Sequence, residues 1–507
     1  MPPPINILTI VTDQQRADTI GALGNAKIRT PVLDRLVEQG VSFTRAYTPT
    51  PVCMAARAAL ATGLSPAQTG CWDNNPMPVD ATSYMQLLQT AGYQTHGVGK
   101  MHFEPDHTRL WGYDTRDISE EGKSGDFDRF LKDNGYGHVL SPHGIRGEMY
   151  YLPQPSQLPS HLHESHWVAD RCIDFLKSRD RDRPFLLDAH FIKPHPPFEN
   201  PMPWSYLYRT KDMAPPYRPE NYTDFHSRIN LVQNRYKYKD QACEDELTWR
   251  TTKAAYYGAI SFIDYQVGRI LEALGDEIEN TLIIFTSDHG EMMGDYGCAG
   301  KRCLLEASNR IPFIMKMPGQ EKAGTRIQTP VTLTDIFTTV SKIAEVTPSD
   351  TYGPRSGSDL FDIARGDEEG RIVHTQFQHA WMGNYMATDG KRKFLYSAAD
   401  DKSWSFTIDD SLRDTPDSSQ ATSKLGEQAI EHFAKFPKTQ AVENGNWRKH
   451  EPMPWPEDRD YGLLQQDPEG IEEMLDTIKP YHSGEHPAWD ASYGAIFDHM
   501  PEMDEES

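Results

Sequence analysis

The run INILTIV at residues 5–11 is apolar without a break, as befits a strand covered on both faces rather than one with a wet side. A strand of that kind sits inside a sheet with helices packed above and below it. The rest of the chain meets that constraint. TPVLDRLVEQG (30–40) reads as a helix, with Thr30 as its cap, Pro31 in its first turn and Gly40 as its stop. Helical and strand patterns then alternate: TSYMQLLQTAG (82–92) before YQTHGVGKMHF (93–103), and SHWVADRCIDFLKS (165–178) before PFLLDAHFI (184–192). In the long segment 252–275, Ile260, Ile263, Val267, Ile270 and Leu274 form one helical stripe, and the strand NTLIIFTS (280–287) comes next. The alternation predicts an α/β fold with helices on both faces of the sheet.

The texture changes near residue 375. YMATDGKRKFLYSAA and KSWSFTIDD read as an antiparallel ribbon around a glycine turn. Two domains are therefore expected, 1–375 and a smaller α+β domain at 376–507. From about residue 436 the chain is rich in proline, tryptophan and acid. Its aromatics (Trp447, Trp455, Tyr461, Tyr481, Trp489, Tyr493, Phe497) read either as part of a solvated extension or as an arm that wraps a neighbouring subunit.

Charge and cysteine usage narrow the classes. Lys and Arg number 51 against 74 Asp and Glu, a net charge of −23, which argues against a nucleic-acid partner. No apolar run reaches the roughly 18 residues a membrane helix needs. Cys53, Cys71, Cys172, Cys243, Cys298 and Cys303 are scattered without a CxxC pair, which suits a reducing compartment. MPPPINILTIVTDQ has no basic leader pattern, so a cytoplasmic location is expected.

The chemistry stands where the apolar strands stop. INILTIV is followed by Thr12, Asp13 and Gln14; YQTHGVG by Lys100 and His102; PFLLDAHFI by Lys193 and His195; NTLIIFTS by Asp288 and His289. Each group alone has an ordinary explanation as a turn, a cap or a solvated loop. In an open α/β sheet, however, ligands bind beyond the carboxyl ends of the strands, so together these residues imply one shared site. Lys100 and His102 are expected on one face of a continuing strand. Asp13, Gln14, Asp288 and His289 offer oxygen ligands and one imidazole, a set suited to calcium, magnesium or manganese, with the histidine favouring manganese. Arg57, Lys100, His102, Lys193, His195 and Lys301 supply cationic donors. A metal with such donors suits a tetrahedral oxyanion, hence sulfate or phosphate ester chemistry. In TPVCMAARAALATG (50–63), Cys53 would open a helix, where the backbone N–H groups favour a thiolate, with Arg57 one turn on. The ordinary reading of Cys53, a small buried hydrophobe, stands beside that one.

CMAAR followed by AALATG resembles the signature of the type I sulfatases of the alkaline phosphatase superfamily. VTDQQRADTIG, TPVLDRL, GKMHF, KPHPPF, FTSDHGEMMGDYG and KRCLLEASNRIPFI fall in that family's order across residues 5–345. The resemblance implies an alkaline-phosphatase-like fold with a large mixed, mostly parallel sheet. It also implies oxidation of Cys53 to formylglycine by a maturation enzyme, the aldehyde hydrate being the nucleophile. Under it, Arg57 and Lys100 hold the hydrate, His102 takes its remaining proton, His195 protonates the departing alcohol and Lys301 grips the sulfate. Asp13, Gln14, Asp288 and His289, with the residue at Cys53, hold one divalent ion, Ca2+ or Mn2+ before Mg2+.

Gln14 and His289 stand where the family often has Asp and Asn, and Ala55 where it commonly has Pro. The first two changes resemble a branch containing phosphonate monoester hydrolases and choline sulfatases, in which Asn74 falls at a substrate-contacting position; Lys193, among the strand-end cations, is the other substrate-binding candidate. The phosphonate enzymes, however, carry neutral hydroxyl residues in place of Lys100 and His102. The expected function is hydrolysis of aryl or small alkyl sulfate monoesters, with crossover toward phosphonate and phosphate esters. The alternatives are a phosphonate monoester or phosphodiester hydrolase, and an anion-binding protein in which Cys53 stays unmodified. A homo-oligomer, dimer or tetramer, is expected.

Overall fold

The computed structural model describes residues 4–121, 125–146, 149–230, 245–348, 350–368 and 370–451. Cys243 and the tail aromatics from Trp455 onward lie outside them. Its main sheet has eight strands: β1 (Asn6–Asp13), β2 (Val41–Phe43), β3 (Gln94–Gly99), β4 (Thr115–Ile118), β5 (Phe185–Pro194), β6 (Thr281–Ser287), β7 (Phe313–Lys316) and β8 (Thr325–Ile327), in the order β8-β2-β7-β6-β1-β5-β3-β4. Only β7 runs against the rest, pairing antiparallel with both β6 and β2. β1 lies at the centre, parallel to β5 on one side and β6 on the other.

The unbroken apolar runs are explained by what covers the two faces. Ile7 and Val11 of β1 and Leu282 and Ile284 of β6 join a core with helices α2 (Cys53–Thr62), α3 (Tyr84–Thr90) and α6 (Thr334–Ala344). The alternate residues Leu8, Ile10, Ile283 and Phe285 face a second core with α1 (Pro31–Gln39), α4 (Glu164–Ser178) and α5 (Glu246–Leu274). Of the predicted α5 stripe, Ile263, Val267, Ile270 and Leu274 enter that core, while Ile260 packs with Tyr256 and Trp249 in a smaller one. Among the described residues no helix is long and apolar enough to cross a membrane.

Two local expectations need correction. Thr30 does not cap α1 with its side chain; its hydroxyl instead accepts the Gly21 N–H at 2.9 Å and donates to Asp34 at 3.1 Å. The first amides of α1, Val32 and Leu33, are taken by Asp264 of α5 at 3.2 and 2.8 Å. The cap is thus tertiary, beyond the reach of a local pattern. Further on, β3 stops at Gly99, so Lys100 and His102 are not on a strand. Gly99 has φ +90°, and a Cβ there would collide with the His190 carbonyl, so the chain breaks away at that point.

A five-stranded antiparallel sheet comes next along the chain: β9 (Val373–Phe377), β10 (Asn384–Thr388), β11 (Arg392–Ser397), β12 (Lys402–Ile408) and β13 (Asp414–Pro416), in that order. It begins at Val373, a little ahead of the boundary expected from texture. The predicted turn joins β10 to β11 through Gly390 at φ +83°. Helix α7 (Gln420–Phe433) lays Leu425, Ala429 and Phe433 on Tyr385, Phe394 and Tyr396 of this sheet.

Candidate active site

Because β1, β3, β5 and β6 are parallel neighbours, their carboxyl ends open on one edge. That edge gathers Asp13, Lys100, His195, Asp288 and His289, while α2 brings Cys53 as its first residue and Arg57 one turn later. Ligand atoms of Asp13, Cys53, Asp288 and His289 lie within 4.8 Å of one another, all buried. Cys53 Sγ is 3.5 Å from Asp13 Oδ1, 3.3 Å from His289 Nε2 and 2.6 Å from Lys301 Nζ.

The donor set fits a divalent cation. His289 Nδ1 lies 3.0 Å from the Gly290 carbonyl; a carbonyl only accepts, so Nδ1 carries a proton and Nε2 is the nitrogen turned to the cluster, where its lone pair would serve an ion. Gln14 Oε1 is buried with no hydrogen-bond partner, an oxygen that such an ion would satisfy. Gln14 itself holds φ 67°, pinned by its N–H on Asp288 Oδ1 at 3.0 Å and by the Tyr256 hydroxyl on its carbonyl at 2.6 Å.

Cations surround the carboxylates and the thiol. Arg57 reaches Asp288 through Nε and Asp13 through Nη2, both at 3.1 Å, and also meets the Lys100 carbonyl. Lys100 Nζ is 2.6 Å from Asp13 Oδ2. Burial raises the Asp13 carboxyl, but Lys100, His195 and Lys301 outweigh it and hold the group at about 2. Burial likewise opposes the Cys53 thiolate, yet Lys100, Lys301 and His289 bring the thiol well below its ordinary value. Burial pushes His195 down to about 4, against the pull of Glu121.

The other residues expected at the site differ in how close they come to it. His102 stands on the irregular loop after β3, at φ 55°, with its amide N–H on Glu120 at 2.8 Å, and its ring helps to hold the Cys53 thiol low. His195 Nδ1 donates to the Pro196 carbonyl at 2.5 Å, and Nε2 stands 3.7 Å from Glu121. Asn74 sits exposed on a turn, its N–H on Asp73 at 2.8 Å; Asp73 in turn pairs with Arg302, next to Lys301, at 3.0 Å. Lys193 is a correction. Its ammonium is fully buried and spent on the carbonyls of His143 and Pro197, 3.0 and 2.7 Å away, and on Glu199 at 3.0 Å. The structure does not bring it to the cluster.

Sequence reasoning missed Glu121, which touches Lys100 and Arg146, and Glu291 with Tyr151, which hold Gln14. Glu121 lies in an irregular loop with no periodic signal. Glu291 does come just after the Asp288-His289 pair within SDHGE, so its position beside two ligands was a usable sign.

A mostly parallel sheet with a metal-ligand cluster, a helix-borne cysteine and converging cations at its carboxyl edge defines an α/β hydrolase of oxyanion esters. The sulfatase family model matches residues 5–346, and the chain belongs to that family. An arylsulfatase of Clostridium perfringens is 31% identical over 420 residues, covering 77% of this chain and 85% of the relative. A choline-sulfatase of Rhizobium meliloti is 27% identical over 417 residues, 78% of each chain. The solved phosphonate monoester hydrolase of Agrobacterium radiobacter superposes with a TM-score of 0.72 over 88% of this chain and 100% of its own, at 23% identity. That last likeness is one of fold. The family implies a metal ion and a cysteine-derived formylglycine, and Cys53 stands at the signature position.

Proposed function

We propose that this protein hydrolyses aryl or small alkyl sulfate monoesters, with Cys53 matured to formylglycine by a formylglycine-generating enzyme. The observation that carries the reading is the placement of Cys53 Sγ at the N-terminus of α2, 2.6 Å from Lys301 Nζ and within the metal-ligand cluster. The hydrated aldehyde supplies one hydroxyl to attack sulfur and a second through which the enzyme sheds sulfate. Asp13, Gln14, Asp288 and His289 would hold Ca2+ or Mn2+, which would supply polarisation of the sulfate oxygens.

The protein's own groups do the rest. Lys100 and Arg57 fix the residue-53 side chain against Asp13 and Asp288. Lys301 binds the sulfate oxygens that gain charge in the transition state. His195 keeps Nδ1–H on a carbonyl and presents Nε2, which takes up a proton beside Glu121 and the bound anion and passes it to the departing alcohol. His102 Nδ1 has no hydrogen-bond partner among the described residues, and the ring lies beside Cys53 to take the proton of the second hydroxyl.

Phosphonate monoester hydrolysis is the second reading, favoured by Gln14 and His289 as ligands. Lys100 and His102 support the sulfate reading against it. The test co-expresses the chain with a formylglycine-generating enzyme and compares kcat/KM for an aryl sulfate and the matching aryl phosphonate monoester. Sulfate preferred by orders of magnitude, and lost in Cys53→Ala, is the expected result. A preference for the phosphonate transfers the proposal to the second reading.

A further inference from the structure

Glu291 is fully buried beside the site and has no part in the chemistry described. Its Oε1 accepts the backbone N–H groups of Met293 and Gly300, at 2.9 and 2.7 Å. Its Oε2 accepts the Tyr151 hydroxyl at 3.2 Å and the Gln14 carboxamide nitrogen. Tyr151 Oη also accepts from Gln14 Nε2 at 3.1 Å. An ionised carboxylate only accepts hydrogen bonds, so Gln14 must turn its NH2 toward Glu291. Its carbonyl Oε1 is then the atom left over, and it is the buried oxygen without a hydrogen-bond partner.

We propose that Glu291, aided by Tyr151, is a positioning residue that orients the Gln14 carboxamide so that its oxygen serves the metal, and that this carboxylate is why glutamine rather than aspartate fits at position 14. The proposal rests on the reading that Asp13, Gln14, Asp288 and His289 hold a divalent cation. An aspartate at 14 would set a second carboxylate facing Glu291, and like charges in a buried site repel strongly. Because Gly300, bonded to the same carboxylate, precedes Lys301, Glu291 also anchors the loop that carries that lysine.

The test titrates the metal-stripped full chain with Mn2+ and Ca2+ by calorimetry. Glu291→Gln is expected to weaken binding about 10–100-fold, the range usual for partners that orient a ligand, and Tyr151→Phe to weaken it less. Gln14→Asp alone is expected to weaken binding, and Gln14→Asp combined with Glu291→Gln to recover most of that loss. A merely structural Glu291 would leave the double variant no better than the worse single one, which overturns the proposal. Wild-type affinity in both Glu291→Gln and Tyr151→Phe also overturns it; if Glu291→Gln does not fold, wild-type affinity in both Tyr151→Phe and Gln14→Asp does so. Wild-type affinity in Asp13→Asn would instead remove the metal-site reading itself.

Discussion

Lys301 Nζ stands 2.6 Å from Sγ of Cys53, the centre of the proposed reaction. Its removal takes away a fixed donor to the developing oxyanion, so Lys301→Ala should lower kcat/KM for an aryl sulfate by about 10²–10³-fold. In the proposed mechanism His195 acts on the other partner of the reaction. His195→Ala should cost about 10²–10⁴-fold for alkyl sulfates, whose alcohols need a proton to leave, and far less for nitrophenyl sulfate. A leaving-group series measures this as a steeper dependence of rate on the pKa of the alcohol in the variant. His195 was readable because it stands directly after an apolar strand, whereas the role of Lys301, in the loop beyond the Asp288-His289 pair, was readable only through the family resemblance. Glu121 and Tyr151 were not, because their loops meet the site only after the sheet has formed.

The strands carry the site by stopping where they do. β3 ends at Gly99, whose φ of +90° turns the chain away and whose closeness to the His190 carbonyl leaves no room for a Cβ, and Lys100 then enters the centre from a loop. Period-two reasoning assumed that the strand went on, hence the misplaced shared face for Lys100 and His102. Likewise, the cap of α1 was assigned to Thr30 by local pattern, whereas Asp264 supplies it from α5. Burial pushes the Asp264 carboxyl up from 3.8 to about 7. The folded state therefore binds the extra proton between those values, and stability should fall as pH rises through that window. Asp264→Asn should abolish that part of the pH dependence, and Asp264→Ala should cost about 0.5–2 kcal/mol through the lost cap. Denaturant unfolding at intervals from pH 4 to 8 measures both.

Across the molecule as a unit, a fully buried ion cluster ties the five-stranded sheet to the part of the chain that precedes it. Lys393 on β11 meets Glu306 at 3.1 Å and also Asp414, and Glu306 accepts the Tyr47 hydroxyl at 3.3 Å. Removing the cation leaves two buried carboxylates without it, so Lys393→Ala should destabilise the protein by about 3–5 kcal/mol. Calorimetry should show one unfolding transition in the wild type and an earlier, split one in the variant. A negatively charged protein that acts on anions needs its cations gathered in one place, and the edge of the sheet does this around Cys53. Under the proposed function these cations serve one side chain, the residue at 53, as the nucleophile formed once it is oxidised. Peptide mass spectrometry of the Cys53 segment, set against sulfatase activity across preparations matured to different extents, tests that role without an intermediary. Activity proportional to the aldehyde fraction, with none at zero conversion, is the expected result; full activity from protein whose Cys53 remains a thiol would contradict it.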